Sequence, residues 1–283
     1  MSPTLRIPFV KASACGNDFL LIDSSSVIDS LRVRDALASA DLHAITRQIC
    51  DRHNGIGADG VEWMSPHPTA DVEIRLINAD GSEAEISGNG TRCVAAYFCD
   101  SQEKKTVSIQ TGAGLRTCIL TARRGTTYEF ETEMGQARVM PEVVLTTTSG
   151  EVRGIPVSIG NPHYVVFVPK LPPNWQQQAR EIQASAEFPE GVNVEMGMTE
   201  GKQDITVRFF ERGVGETQSS GTGSCASAVA AISTGRAVSP VRVHAPGGTQ
   251  TVRQQNGVVF LGGPARLVCR GEFFPADFIS DSA

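Results

Sequence analysis

Apolar and polar residues alternate in short runs along most of the chain, a period-two pattern that predicts strands. In the first half the runs Ile7–Lys11, Phe19–Ile22, Val72–Ile77, Thr106–Ile109, Gly114–Thr121 and Tyr128–Glu133 read as strands. A second series follows at Val139–Thr146, Gly154–Ser158, Tyr164–Pro169, Ile205–Phe210, Val241–His244, Gln250–Arg253, Val258–Leu261 and Ala265–Arg270. Helical spacing is rarer. Asp41 is placed to cap a helix that puts Ala44, Ile45, Ile49 and Cys50 on one side and stops near Asn54-Gly55. Trp175–Ala186 is a second helix, after the local turn Leu171-Pro172-Pro173-Asn174. Two more, rich in small apolar residues, begin near Thr91 and Ser224.

Those last two helices expose an internal repeat. Ser87-Gly88-Asn89-Gly90-Thr91 leads into Cys93-Val94-Ala95-Ala96, and Ser220-Gly221-Thr222-Gly223-Ser224 leads into Ala226-Ser227-Ala228-Val229-Ala230-Ala231. The two serines are 133 residues apart (87 to 220), nearly half the chain. Two copies of Ser-Gly-x-Gly-[Ser/Thr] before an Ala-rich helix predict two similar α/β halves, each with strands wrapped around one buried helix. The seam is expected near Met134–Glu142. The Asp41–His53 helix pattern has no evident partner in the second half, so the symmetry is expected to be imperfect.

Composition narrows the class. With 283 residues, 40% apolar and 20% charged, the chain is long enough for about two domains and globular in make-up. A formal net charge of -6 excludes a general basic footprint for nucleic acid or an anionic membrane surface. No run approaches the ~20 apolar residues of a membrane span, and Met1–Val10 lacks the apolar segment of a secretory signal. The seven cysteines are scattered, with no C-x-x-C pair, which fits free thiols in a reducing cytoplasm. Asn89-Gly90-Thr91 is formally a glycosylation sequon and carries no weight in such a compartment.

Several motifs bear on chemistry. A glycine-rich loop that opens a helix presents N–H groups and a positive dipole end to an anion. The plain structural alternative is that the serines only cap two buried helices. Gly55-Ile56-Gly57-Ala58-Asp59-Gly60 matches the dinucleotide fingerprint, but it follows a helix and does not open one, so nucleotide binding is not expected there. None of the five histidines has metal-site spacing with another histidine or with cysteine. His163 lies in the turn Gly160-Asn161-Pro162-His163 after a strand, where functional side chains concentrate. Glu211-Arg212-Gly213 ends another strand just before the second glycine-rich loop; the pair is either solvated or, through Arg212, a bidentate grip on a carboxylate.

Taken together, these residues resemble the diaminopimelate epimerase family over almost the whole chain. The matching blocks are Gly16-Asn17-Asp18-Phe19, the stretch from Asp51 to Gly60, Asn78-Ala79-Asp80-Gly81-Ser82-Glu83 with Gly88-Asn89-Gly90, Gly160-Asn161-Pro162-His163, Phe188-Pro189-Glu190-Gly191-Val192-Asn193, Glu211 to Thr217, Gly221-Thr222-Gly223 and Pro246-Gly247-Gly248. The resemblance implies an α/β fold of two pseudo-symmetric domains, each a curved, mostly antiparallel sheet wrapped around a central helix, closing on one substrate. As domains we expect 1–133, 134–267, and a C-terminal strand and tail, 268–283, returning to the first half. It implies interconversion of LL- and meso-2,6-diaminopimelate in lysine and cell-wall precursor biosynthesis, by proton transfer at the α-carbon without cofactor or metal, in a cytoplasmic homodimer. The implied substrate contacts are Asn17, Asn78, Asn161, Asn193, Glu211 and Arg212, with the backbones of Gly88, Asn89, Gly221 and Thr222 holding the reacting carboxylate. His163 and Glu211 would tune the bases.

The family carries one catalytic cysteine in each half, at the head of each glycine-rich loop. Here Ser87 and Ser220 stand at those positions. A serine hydroxyl ionises far less readily than a thiol and needs a neighbouring base. Epimerisation is therefore expected to be slow or absent. Three readings stay open: an epimerase whose serines are activated by His163 or Glu211, a relative of the same fold with altered chemistry such as an isomerase or dehydratase, and a catalytically silent amino-acid-binding or interaction protein. Cys93 and Cys225 lie further into the helices as core residues, and Cys15, just before Gly16-Asn17, is either core or a thiol near the site.

Overall fold

The computed structural model describes residues 6–24 and 41–275. They form two compact units, one of residues up to Phe130 together with those from Pro264 onward, the other of Glu131–Gly263. The divisions fall a few residues before the 134 and 268 read from the sequence, because strands run through them: β8 (Thr127–Gln136) and β18 (Val258–Phe273) each span a division.

In the first unit β1 (Ile7–Ala14) and β2 (Asn17–Asp23) form an antiparallel pair, and β2 pairs in parallel with β3 (Gly60–Ser65). Parallel pairing demands a crossover, and α1 (Leu42–Cys50) lies on it. β3 pairs antiparallel with β4 (Val72–Asn78), which also pairs with the short β5 (Glu83–Ala84). A second crossover, through α2 (Gly88–Gln102), brings β6 (Thr106–Thr111) parallel to β4, and β7 (Gly114–Arg124) then pairs antiparallel with β6. From Arg266 to Phe273 the last strand lies antiparallel to β1.

The second unit repeats this order. After β9 (Arg138–Val139) and β10 (Val143–Thr147), β11 (Gly150–Ser158) and β12 (Pro162–Phe167) pair antiparallel, and α3 (Trp175–Gln183) lies on the crossover to the parallel β13 (Asn193–Gly201). β13 pairs antiparallel with β14 (Asp204–Glu211), which pairs with the short β15 (Gly215–Thr217). The crossover through α4 (Gly221–Ser233) brings β16 (Val241–Ala245) parallel to β14, and β17 (Gly248–Gln255) pairs antiparallel with β16 and with the start of β18. So α1 does have a partner: α3 occupies the same step. The sequence hides this because the two helices share an amphipathic face (Ile45 and Ile49; Ala179 and Ile182) but no residues in common order.

α2 and α4 are the buried helices, and small side chains explain why. Their inner turns are buried on every side, Asn89–Ala96 in one and Gly223–Ala231 in the other, as expected of a helix enclosed by strands. Cys93, Val94 and Ala96 pack with Leu21, Leu76 and Val107; Cys225, Ala228 and Val229 pack with Val207, Phe209 and Val243. Both helices start three residues before the predicted Thr91 and Ser224, at Gly88 and Gly221. β3 and β13 are strands the alternation does not announce. Each is buried on both faces at its start, so its pattern is continuous and not alternating.

Candidate active site

Ser87 and Ser220 are the N-caps of α2 and α4. Each has an extended backbone (φ -122 and -140) and accepts a hydrogen bond on its side-chain oxygen from the third residue of its helix: Gly90 N–H at 3.0 Å and Gly223 N–H at 3.2 Å. The capping reading is thus correct, and it does not exhaust the residues. A hydroxyl that accepts a cap bond still carries its own proton, and the helix geometry points the N–H groups of residues 88, 89, 221 and 222 out of the first turn, as an anion site requires. Nothing lies within 4 Å of where a side chain on Gly88 would begin.

In the first unit the site residues form a chain of hydrogen bonds. Asn89 Nδ2 donates to Asn17 Oδ1 at 2.7 Å, and Asn17 Nδ2 donates to Asp59 Oδ2 at 3.0 Å. Arg92, fully buried, donates to Asn89 Oδ1 and lies 3.7 Å from Cys15 Sγ. Cys15 is itself buried, and burial raises its thiol pKa against the pull of Arg92. It is no substitute for a low-pKa thiolate. Cys93 and Cys225 are fully buried in the cores. Burial would also raise Asp18, but hydrogen bonds from Arg52 and Lys11 outweigh it and hold this carboxyl below its ordinary value. Asn78, at the end of β4, bonds to Ser82 in its own turn (3.0 Å). The fingerprint-like loop Gly55–Gly60 joins α1 to β3, the reverse of the strand–turn–helix order that nucleotide binding needs.

In the second unit Asn161 Oδ1 meets His163 Nε2 at 2.9 Å, and Asn161 Nδ2 donates to Thr222 Oγ1 at 3.4 Å. His163 Nδ1 meets Glu195 Oε1 at 2.7 Å, both side chains being sealed from solvent. Both ring nitrogens therefore meet a side-chain oxygen. Burial pushes the Glu195 pKa up and His163 pulls it back. The acidic partner of His163 is thus Glu195; Glu211 instead accepts from Thr217 Oγ1 at 2.9 Å. Asn193 spends its amide on the backbone, donating to Pro162 O and accepting from Arg212 N, each at 3.0 Å. Arg212 is exposed and gives one N–H to Glu190 O at 2.5 Å, leaving other donors of the guanidinium for a ligand.

Two buried carboxylates escaped the sequence reading, and both lie against the capped helix starts. A Cβ built on Gly223 would fall 2.8 Å from Glu195 Oε1, and one on Gly90 would fall 1.8 Å from Glu62 Oε1. Glu62 and Glu195 are the third residues of β3 and β13 and stand 133 residues apart, as Ser87 and Ser220 do. That shared offset is the signal that would have revealed them. The contact also yields a prediction. Gly90→Ala cannot be accommodated without moving the carboxyl, so a loss of ~1–3 kcal/mol is expected. Gly88→Ala, with open space, should be neutral or slightly stabilising. Thermal unfolding of the two variants checks this.

Glu62 is fully buried, neither carboxyl oxygen has a hydrogen-bond partner among the described residues, and burial pushes its pKa up to about 8. Because the unfolded chain holds a glutamate near ~4.3, the folded state binds the extra proton between those values. The contribution of Glu62 to stability is then fully present below about pH 4. It falls by up to ~1.4 kcal/mol per pH unit as pH rises, and levels off above about 8. Glu62→Gln should lack this fall. Unfolding midpoints of the two proteins, measured from pH 5 to 9, should therefore diverge in favour of the variant.

The Diaminopimelate epimerase family matches residues 9–140 and 155–268. The chain belongs to this family. Among curated relatives, diaminopimelate epimerases from Pelotomaculum thermopropionicum and Halothermothrix orenii are 35% and 34% identical, covering 94% and 95% of this chain and 98% of each relative. Solved structures of similar fold reach beyond the diaminopimelate epimerase name. They include a phenazine biosynthesis protein of the PhzF family from Bacillus anthracis (TM-score 0.69, 14% identity, 94% of this chain and 98% of that one). A hydroxyproline epimerase from Agrobacterium vitis with bound trans-4-hydroxy-L-proline is also similar (0.66, 17%, 96% and 92%), as is a methylitaconate-delta-isomerase (0.66, 16%, 96% and 96%). At these identities the likeness is one of fold. The diaminopimelate epimerase family is one of isomerases, and its two-unit α/β fold is the one seen here.

Proposed function

We propose that this protein binds 2,6-diaminopimelate and interconverts its LL and meso forms by moving the α-proton, with Ser87 serving one face of the α-carbon and Ser220 the other. The observation that carries the reading is the duplicated unit: a serine-capped, glycine-rich helix start backed by a buried carboxylate, once in each half and in the same register. Helix N-termini stabilise the negative charge that develops on a carboxylate-substituted carbanion. The asparagines offer donors and acceptors together, which suits a substrate with a second ammonium and carboxylate. Proton transfer of this kind needs acids, bases and hydrogen-bond donors, all of which the two half-sites contain. The free thiols of the chain suit a reducing compartment, the cytoplasm.

Calorimetric titration with diaminopimelate, L-proline, trans-4-hydroxy-L-proline and L-glutamate tests the substrate. Diaminopimelate is expected to bind most tightly. Tighter binding of either proline would move the protein to the proline branch of the fold, and no binding by any of the four would favour a non-enzymatic role.

A further inference from the structure

The second half-site contains a relay, Glu195–His163–Asn161, behind its capped helix. The first half-site contains a carboxyl in the equivalent place with no imidazole to pair with. Strand register makes the comparison direct: His163 pairs with Asn193 at the start of β13, whereas the residue paired with Gly60 at the start of β3 is Phe19. Glu62 is thereby left in a site of zero exposure with both oxygens unpartnered. Its strand neighbours are Leu21 and Leu76, and the titratable group facing it from α2 is Cys93, whose own pKa is raised, first by burial and in part by Glu62. Burial alone accounts for the rise in the Glu62 pKa, with no opposing cation. A carboxyl buried without a hydrogen-bond partner is costly even when neutral, and a structural role would be met as well by a leucine.

The carboxyl lies against the helix start that Ser87 caps. A Cβ on Gly90 would be 1.8 Å from Glu62 Oε1 and 3.3 Å from Ser87 Cβ, so the two groups share one glycine and are no farther apart than those lengths laid end to end. A change of Ser87 rotamer, turning its hydroxyl from the cap bond with Gly90 N–H toward the carboxyl, shortens that gap. From this geometry we infer that Glu62 is the positioning residue and proton acceptor behind Ser87, the counterpart in the first half-site of the Glu195–His163 pair in the second. The inference rests on the epimerase reading above. As the α-proton passes to Ser87 Oγ, the C–H electron pair stays on the α-carbon and the serine's own proton passes to the Glu62 carboxylate. The reverse sequence delivers a proton from neutral Glu62, through Ser87, to the carbanion. Each transfer breaks one bond to hydrogen and forms one, and needs no other reactant.

The test is α-deuterium incorporation in heavy water, followed for whichever of diaminopimelate, proline, hydroxyproline and glutamate the unmodified protein exchanges. Glu62→Gln is expected to lower the exchange rate ~100-fold or more with an unchanged dissociation constant. It should also abolish a rise in rate with pH centred near 8, the value to which burial pushes the carboxyl. In a Ser87→Cys background the same substitution should cost less than about tenfold, because a thiol ionises on its own near ~8.5. Glu62→Leu is expected to fold and bind ligand normally while losing exchange, which separates a chemical role from a packing one. An unmodified rate and pH profile in Glu62→Gln would overturn the inference alone. So would equal losses in the serine and cysteine backgrounds. Failure of the unmodified protein and its cysteine forms to exchange any of the four amino acids would overturn the epimerase reading first, and the inference with it.

Discussion

Converting Ser87 and Ser220 together to cysteine is expected to raise α-proton exchange of diaminopimelate by ~10²–10⁴-fold, the usual contribution of a positioned acid or base. The capped helix starts and their glycines, to which the proposal gives the substrate carboxylate, stay in place, so on that proposal the substitution changes only the group that handles the proton. A free thiol is a few per cent ionised at neutral pH, while a serine must borrow basicity from a neighbour. The gain should come mainly in kcat, with little change in KM. The two single variants should not add to the double, because one inversion needs both faces at once. Steady-state kinetics and exchange rates of the two single variants and the double one check all three points. A gain confined to KM would show that the serines act in binding.

Breaking the buried pair in the second unit should have the largest effect on stability. His163→Ala leaves the Glu195 carboxylate sealed from solvent with no ring beside it, a situation that costs ~3–5 kcal/mol. Glu195→Ala leaves the ring facing Asn161 alone. The double variant should lose less than the sum of the singles, because neither group is then stranded. Denaturant unfolding of the three variants gives the coupling. His163→Ala should also lose exchange even where it remains folded, because it removes the group between Glu195 and Asn161. Equal and additive losses would mean that the pair is not coupled.

The outline of this fold is legible in the chain because glycine is demanding. Ser-Gly-x-Gly recurs where a helix must start tight against a carboxyl, and Gly90 and Gly223 have no room for a methyl group. The same glycines hide the true helix starts, since poor helix formers push the expected boundary on to Thr91 and Ser224. β3 and β13 stay hidden because strands buried on both faces lack alternation. In Gly60-Val61-Glu62-Trp63-Met64 the single acidic residue looks like an interruption, not the feature that matters. Asn17, Asn89 and Asn161 enter from the sequence only as substrate contacts that the resemblance implies; that Asn89 bonds Asn17, and Asn161 bonds His163, no motif announces. That His163 meets Glu195 and not Glu211 is set by strand register, which no spacing in the sequence reports.

The most direct measurement of the central claim is made on the unmodified chain. LL-diaminopimelate is incubated with it in heavy water, and deuterium at the α-carbons is followed by mass spectrometry alongside the appearance of the meso form. The account predicts slow incorporation that keeps pace with epimerisation, and faster incorporation in the double cysteine variant. Absence of deuterium from diaminopimelate with both proteins would contradict it.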